Sequence, residues 1–357
     1  MKNRIIWIQL KGIFIIMSAF VIFLVLTTFL LLGKPKTNAE EKSNYDINNE
    51  KIESKEADNN KNENEDISDK LFQSNIKVYL SKENRVEEIN IEDYIIGVVS
   101  AEMPASFSQS ALEAQAIAAR TYTLAHLEST GGRKCSQGNG ADLCDDVHCQ
   151  AYISKEKRLS SWEKDKVEEY WKKLNDAVKN TKGKVLTYEN SLVKAFYFST
   201  SSGNTENCEE VFKQELPYLR SVESIGEEVA PKFTSELQFT ETDVLKKLQG
   251  VNSHLYVSDF SKEINVISRT EGGSVKEIKI GNTTFKGTEI RKALGLSSAN
   301  FNIEFTKGLV NFKCKGYGHG VGMSQWGANI MGHNGKNSEE ILKHYYSNTE
   351  IKEVKYK

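Results

Sequence analysis

The chain has 357 residues, 39% of them hydrophobic, and a formal charge of −2. That is material for one large or two ordinary domains with real cores. So even a charge balance leaves no electrostatic footprint for nucleic acid and excludes a basic nucleic-acid binder.

Residues 13–32, "IFIIMSAFVIFLVLTTFLLL", contain no charge. A helix of that length spans roughly 30 Å, one hydrocarbon core. Lys2, Arg4 and Lys11 precede it, which keeps residues 1–12 cytoplasmic and puts the rest of the chain outside. A cleaved signal peptide is the alternative, with small residues at "TNA", 37–39, but the apolar run is long for that role. Residues 33–70 are dominated by Asn, Glu, Lys and Asp with one aromatic, Tyr45. Such a segment buries too little apolar surface to offset its ordering entropy and reads as a disordered tether, about 30 Å from end to end as a flexible coil. The remainder, 71–357, reads as a mixed α+β domain of two lobes around a central cleft.

Alternation in "IKVYLSKENRVEEINI", 76–91, predicts a hairpin turning near Lys82–Asn84. The period then changes. Ile91, Tyr94, Ile95, Val98 and Val99 follow the helical template, and Glu102 continues the same apolar face. Pro104 disfavours helical geometry at Met103, so the helix stops at about Glu102. Burial and the negative carbonyl end of the helix both oppose charge on this carboxyl group, which suits a general acid; a cap or a partner for an arginine is the bland reading. In the next helix, Ser110-Ala-Leu-Glu113 fits a capping box, alanines permit close packing, and Gly131-Gly132 ends it. Arg120 within it is either a core-edge salt bridge or a ligand contact. Gln115 and Tyr122 share one side of the helix and either face a cleft or pack.

Cys135, Cys144, His148 and Cys149 lie within "CSQGNGADLCDDVHCQAY". Three thiolates and one imidazole suit tetrahedral zinc. With four protein ligands such an ion is structural. A disulfide, also reaching Cys208 or Cys314, is the alternative outside the cytoplasm. "AFYFSTSSGNTEN", 195–207, breaks from strand into hydroxyls, placing Ser201, Ser202 and Glu206 in one loop. Between about 216 and 305, strand and helix patterns alternate without a chemical cluster, an inserted α/β subdomain forming one wall of the cleft. "GYGHGVGMSQWGAN", 316–329, sets His319 among glycines that can adopt positive φ. With Ser324, Gln325 and Trp326 it resembles a sugar or peptide platform. "NSEEILKHYYSN", from 337, is a helix carrying its own N-cap.

Together "EDYIIGVVSAEMPASFSQSALEAQAIAARTYTLAH", "CDDVHCQAY", "STSSGNTE" and "GYGHGVGMSQWGA" resemble the stage II sporulation protein D family, the SpoIID/LytB domain. The likeness runs from about residue 75 to the C-terminus. It implies a lytic transglycosylase of the sporulating cell. Such an enzyme cleaves the β-1,4 bond between N-acetylmuramic acid and N-acetylglucosamine in peptide-stripped glycan, without water, leaving a 1,6-anhydro sugar. Glu102 occupies the position of the family's catalytic glutamate. Arg120, Tyr122, Ser201, Ser202, His319, Ser324 and Gln325 are the substrate-binding candidates. The resemblance further implies a place in the mother-cell membrane, facing the forespore in engulfment, with peptidoglycan glycan, a wall amidase and a membrane protein as partners; a homodimer is compatible with it. Zn²⁺ in the Cys/His loop follows clostridial relatives, Cys135 standing where a relative uses histidine. The competing readings are a zinc-dependent wall amidase and a wall-binding scaffold that cuts nothing.

Overall fold

The computed structural model describes residues 66–357. The expected cytoplasmic segment, the apolar run and the tether up to residue 65 lie outside the described residues. Among those described, no helix is long and apolar enough to cross a membrane.

The described chain is mixed α+β, and its six small sheets are all open. After β1 (Leu71–Phe72), β2 (Asn75–Leu80) and β3 (Arg85–Asn90) form the expected antiparallel hairpin, Ile76 opposite Ile89. Helix α1 (Ile91–Glu102) starts at Asn90, whose side chain accepts from the Glu92 N–H, and ends on Glu102. Helix α2 (Gln109–Ala125) buries 13 residues all round, as expected of a helix enclosed on every side. Its N-cap is Ser108, accepting from the Ala111 N–H, so the helix begins two residues before the Ser110 box read from sequence. It also stops at Ala125, ahead of Gly131-Gly132. The intervening residues form a separate 3₁₀ turn, Glu128–Thr130, closed by Gly131 at φ 83°.

The short strand β4 (Leu143–Cys144) pairs parallel with β2. Helices α3 (Lys155–Ser161) and α4 (Val167–Asn180) follow, then β5 (Lys184–Tyr188), β6 (Ser191–Leu192), β7 (Tyr197–Phe198) and α5 (Cys208–Phe212). These elements and the C-terminal ones share a first core in which α2 is central, packed by α1, α4 and β5.

A second core draws on Val244, Leu248, Ile278, Ile290, Phe301 and Phe312. Around it lie β8 (Thr234–Thr240), α6 (Glu241–Gln249), α7 (Phe260–Glu263), β9 (Ile264–Arg269), β10 (Val275–Ile280), β11 (Thr283–Lys286), α8 (Gly287–Leu294), β12 (Phe301–Thr306) and β13 (Leu309–Lys315). They make two three-stranded sheets, ordered β11-β10-β9 and β12-β13-β8. Tyr218 and Leu219, inside the insertion as bounded from sequence, pack in the first core, while Cys314 belongs to the second.

The chain then returns to the first core. β14 (Met323–Ser324) pairs parallel with β7 and leads directly into α9 (Gln325–His333). α10 (Ser338–Tyr345) carries the expected N-cap, at Asn337, which Glu340 completes as a capping box. β15 (Glu350–Glu353) joins β5, and β16 (Lys355–Tyr356) joins β1.

Candidate active site

Glu102 is half-buried, and its corner is polar rather than apolar as the sequence suggested. The Ala151 N–H donates to Oε1 at 2.9 Å, and Gln325 Nε2 donates to Oε2 at 3.1 Å. Three segments remote in sequence therefore meet on one carboxyl group: the end of α1, the 150–153 turn and the first residue of α9. Gln325 also lies 3.5 Å from Gln115 Oε1, and the buried Gln115 Nε2 has no partner of its own among the described residues. A side chain held from both oxygens points one way, which proton transfer to a fixed substrate atom requires.

Each segment has its own anchor. Gly97 lets the 152–153 backbone cross α1, since a Cβ there would stand 2.8 Å from the Ile153 carbonyl oxygen and 2.3 Å from the Tyr152 ring. The neighbouring Gln150, 3% exposed, donates to Thr123 Oγ1 at 2.7 Å and Tyr94 Oη at 3.2 Å and accepts from Tyr197 Oη at 2.8 Å. Every polar atom of its amide head is thereby engaged in fixing the residue before Ala151.

Helix α9 is fixed by an acid that sequence reasoning missed. Glu227, 1% exposed, accepts from the Ser201 N–H at 2.7 Å, Ser324 Oγ at 2.6 Å and Ser224 Oγ at 2.5 Å. Burial raises its pKa to about 7 against these donors. Ser324 in turn caps α9 by accepting from the Gly327 N–H. No periodicity marks Glu227, because its partners lie 26 and 97 positions away.

The expected substrate contacts sort differently from the sequence reading. Arg120 is fully buried and forks onto Glu92, Nε to Oε1 at 2.9 Å and Nη2 to Oε2 at 2.6 Å, while Nη1 reaches the Lys184 carbonyl at 3.1 Å. It ties the start of α1 to α2 and β5 and presents nothing to a cleft. Ser201 and Ser324 are buried against Glu227. His319 has both ring nitrogens on main chain: the Val321 N–H donates to Nδ1 at 3.1 Å, so Nε2 carries the hydrogen and donates to the Tyr197 carbonyl at 3.0 Å. Burial, with Arg291 nearby, depresses its pKa to about 3. The neutral ring packs among Phe196, Phe198 and Phe212 and offers a ligand only its apolar surface. The glycines at 316, 318, 320 and 322 all take positive φ, the backbone freedom expected there. Ser202 is half-buried and accepts from Asn300 Nδ2 at 2.9 Å; Tyr122 stacks on His126 with ring centres 4.0 Å apart.

The Cys/His loop closes on itself. The Sγ atoms of Cys135, Cys149 and Cys144 stand 3.3, 3.6 and 3.9 Å from His148 Nδ1. All four ligand atoms lie within 4.8 Å of one another. A tetrahedron with bonds of 2.0–2.3 Å has edges of about 3.5 Å, so this donor set can hold a metal ion. Crowding by Cys135 and Cys144 pushes the Cys149 thiol far up, while its hydrogen bond draws Cys144 down; a divalent cation relieves that crowding by taking thiolates. None of the five cysteines is in a disulfide, and Cys208 and Cys314 sit in different cores, so the disulfide alternative has no pair among the described residues.

The SpoIID family profile, "Stage II sporulation protein", matches residues 79–188, which include Glu102 and the Cys/His loop. Stage II sporulation protein D of Bacillus subtilis is 40% identical over 281 residues, covering 78% of this chain and 79% of that protein. The chain belongs to the stage II sporulation protein D family. The Bacillus amyloliquefaciens protein of that name is likewise 40% identical, over 280 residues, 78% of this chain and 79% of its own length. The "amidase enhancer" of Bacillus subtilis is 28% identical over 313 residues, 71% of this chain but 40% of that protein. Family membership supports a role in sporulation, and the family is associated with cell-wall hydrolysis.

Proposed function

We propose that this family member is a lytic transglycosylase acting on peptide-stripped peptidoglycan glycan during forespore engulfment, with Glu102 as its single acid–base. The observation that supports this reading is the two-point grip on Glu102 by Ala151 and Gln325. Hydrolytic glycosidases ordinarily employ two carboxylates. A transglycosylase manages with one. Its carboxyl group protonates the glycosidic oxygen as the C1–O bond breaks. The resulting carboxylate then takes the proton of the sugar's own C6 hydroxyl, which bonds to C1 and closes the 1,6-anhydro ring. That hydroxyl is tethered to the reacting ring, so its attack gains from effective molarity. Glu227, a buried acid of the neighbouring loops, is engaged by three serines.

Ser202, Gln325 and Tyr122 remain the side chains through which glycan would be held. The Cys/His site would hold Zn²⁺ with no open position, and the ion's part is to fix the loop that ends in Gln150 and Ala151. The reading keeps the chain anchored by residues 13–32 on the outer side of the mother-cell membrane, working with a wall amidase and a membrane partner. The name of the "amidase enhancer" relative is consistent with such an association.

Mass spectrometry of digested glycan tests the reaction. Anhydro ends that vanish with Glu102→Gln support it. Reducing ends would make the chain a hydrolase, and intact strands a binding protein.

A further inference from the structure

Glu206 is a second buried acid, 3% exposed, with a use still open. Its Oε1 accepts from the Ser274 N–H at 3.2 Å, while Oε2 has no hydrogen-bond partner among the described residues. A buried carboxyl oxygen left unmatched is destabilising, and a ligand from outside the chain is one thing that can satisfy it. The backbone closes on this acid from both sides. A Cβ on Gly272 would stand 2.5 Å from its carboxyl carbon, and one on Gly320 2.8 Å from its Cγ.

Two hollows meet there, both lined by Glu206, Ser274 and His319. The smaller adds Ser202, Asn204 and Ser298. The larger, about 110 Å³, adds Val211, Thr270 and Thr288 and runs between elements of the two cores. That is room for several waters' worth of ligand. Two of the acids around it are paired, and a third faces a lysine across the strands. Glu209 pairs with Arg220 at 2.9 Å, Glu210 with Lys276 at 2.7 Å, and Glu277 stands opposite Lys286 in the β10–β11 register. Burial raises the Glu206 pKa, which disfavours its charged form. What the hollow offers is hydroxyls, one unused carboxyl oxygen and the flat ring of His319. This chemistry suits an uncharged ligand rich in hydroxyl and amide groups rather than a cation or an anion.

We propose that the Glu206 hollow is a saccharide subsite, taking an N-acetylhexosamine unit whose hydroxyl or acetamido group pairs with Oε2. The identity of the sugar rests on the glycan reading above; the existence of the subsite does not rest on Glu102. The test is calorimetric titration of chitotetraose into the full-length chain in detergent, in a Glu102→Gln background that prevents turnover. Glu206→Leu removes the carboxyl group with little change of volume. The dissociation constant should rise about tenfold, the loss of one good hydrogen bond, with cooperative unfolding retained. A folded Glu206→Leu protein with unchanged affinity overturns the proposal. Should that variant not fold, amide shifts on the unsubstituted chain decide: chitotetraose moving Ser274 and Gly320 supports the subsite. Shifts elsewhere, or shifts at these residues with an alanyl stem peptide alone, refute it. Failure of the glycan reading shows separately, as unchanged cleavage by Glu102→Gln.

Discussion

Glu227→Gln is the sharpest probe of how the site is held together. In the folded protein the Glu227 pKa stands at about 7, raised from 4.5 by burial. The folded state thus binds this proton more tightly than the unfolded chain does. Stability falls as pH rises through the window from 4.5 to 7, because there the unfolded chain releases the proton first. A displacement of that size amounts to about 3 kcal/mol. Glutamine copies the protonated acid. Its oxygen can accept from the Ser201 N–H and Ser324 Oγ, and its amide can donate to Ser224 Oγ, which has Tyr345 Oη as a second partner at 2.7 Å. The variant should therefore match the natural protein near pH 4.5 and gain on it steadily, reaching a relative advantage of about 3 kcal/mol at pH 7 and holding it above. Urea unfolding of both proteins from pH 4.5 to 8, analysed as a difference, isolates this group from every other titrating one. A difference that stays flat across that range refutes the assignment of Glu227 as a buried, proton-holding anchor.

Arg120→Ala should destabilise the protein by about 3–5 kcal/mol, since it strands Glu92 opposite a cavity; a denaturant midpoint close to that of the natural protein would show the fork to be dispensable. Stripping metal with a chelator should lower the melting temperature and shift the Ala151 amide resonance, because the Cys/His cluster ends one residue before Gln150. Loss of activity with both readouts unmoved would instead point to a catalytic metal. Gln325→Ala removes the amide that donates to Glu102 Oε2 and should lower kcat by about tenfold or more and, since Gln325 is also among the glycan-holding side chains, raise KM as well. The His319 ring should stay neutral in ¹⁵N shifts from about pH 8 down to pH 5, while stability is lost as pH falls from 6.5, where the unfolded chain takes up the proton, toward the depressed pKa of about 3.

Much of this was legible in one dimension. Helix α1 announces itself through Ile91, Tyr94, Ile95, Val98 and Val99, and Pro104 fixes its end on Glu102. The hairpin before it and the Asn337 cap follow from local rules as well. Where two serines compete for one helix start, local rules fail: Ser108 takes the cap because its own N–H is held by Asn329 Oδ1, 221 positions on, at 2.8 Å. The polarity of the Glu102 corner was hidden for the same reason. The apolar stripe of α1 is visible in sequence, but the donors that reach its last residue arrive from positions 151 and 325. Arg120 posed a choice that only a partner 28 residues upstream could decide.

In the two loops that most resemble ligand loops, part of the polar chemistry is framework. Ser201, Ser324 and His319 spend their polar atoms on Glu227 and on main chain. The hydroxyls and glycines of these loops let three backbones approach, and the contact with solvent is left to few side chains. The acid therefore depends on three separate supports. The Glu92–Arg120 fork sets the start of α1, Glu227 sets α9 through Ser324, and the Cys/His loop with Gln150 sets Ala151. On the transglycosylase reading, a misplacement of about 1 Å costs roughly a hundredfold in rate, so rate is lost when any one of them slips. On the same reading, substitutions in these supports should depress kcat in proportion to how far they move Glu102, Ala151 or Gln325.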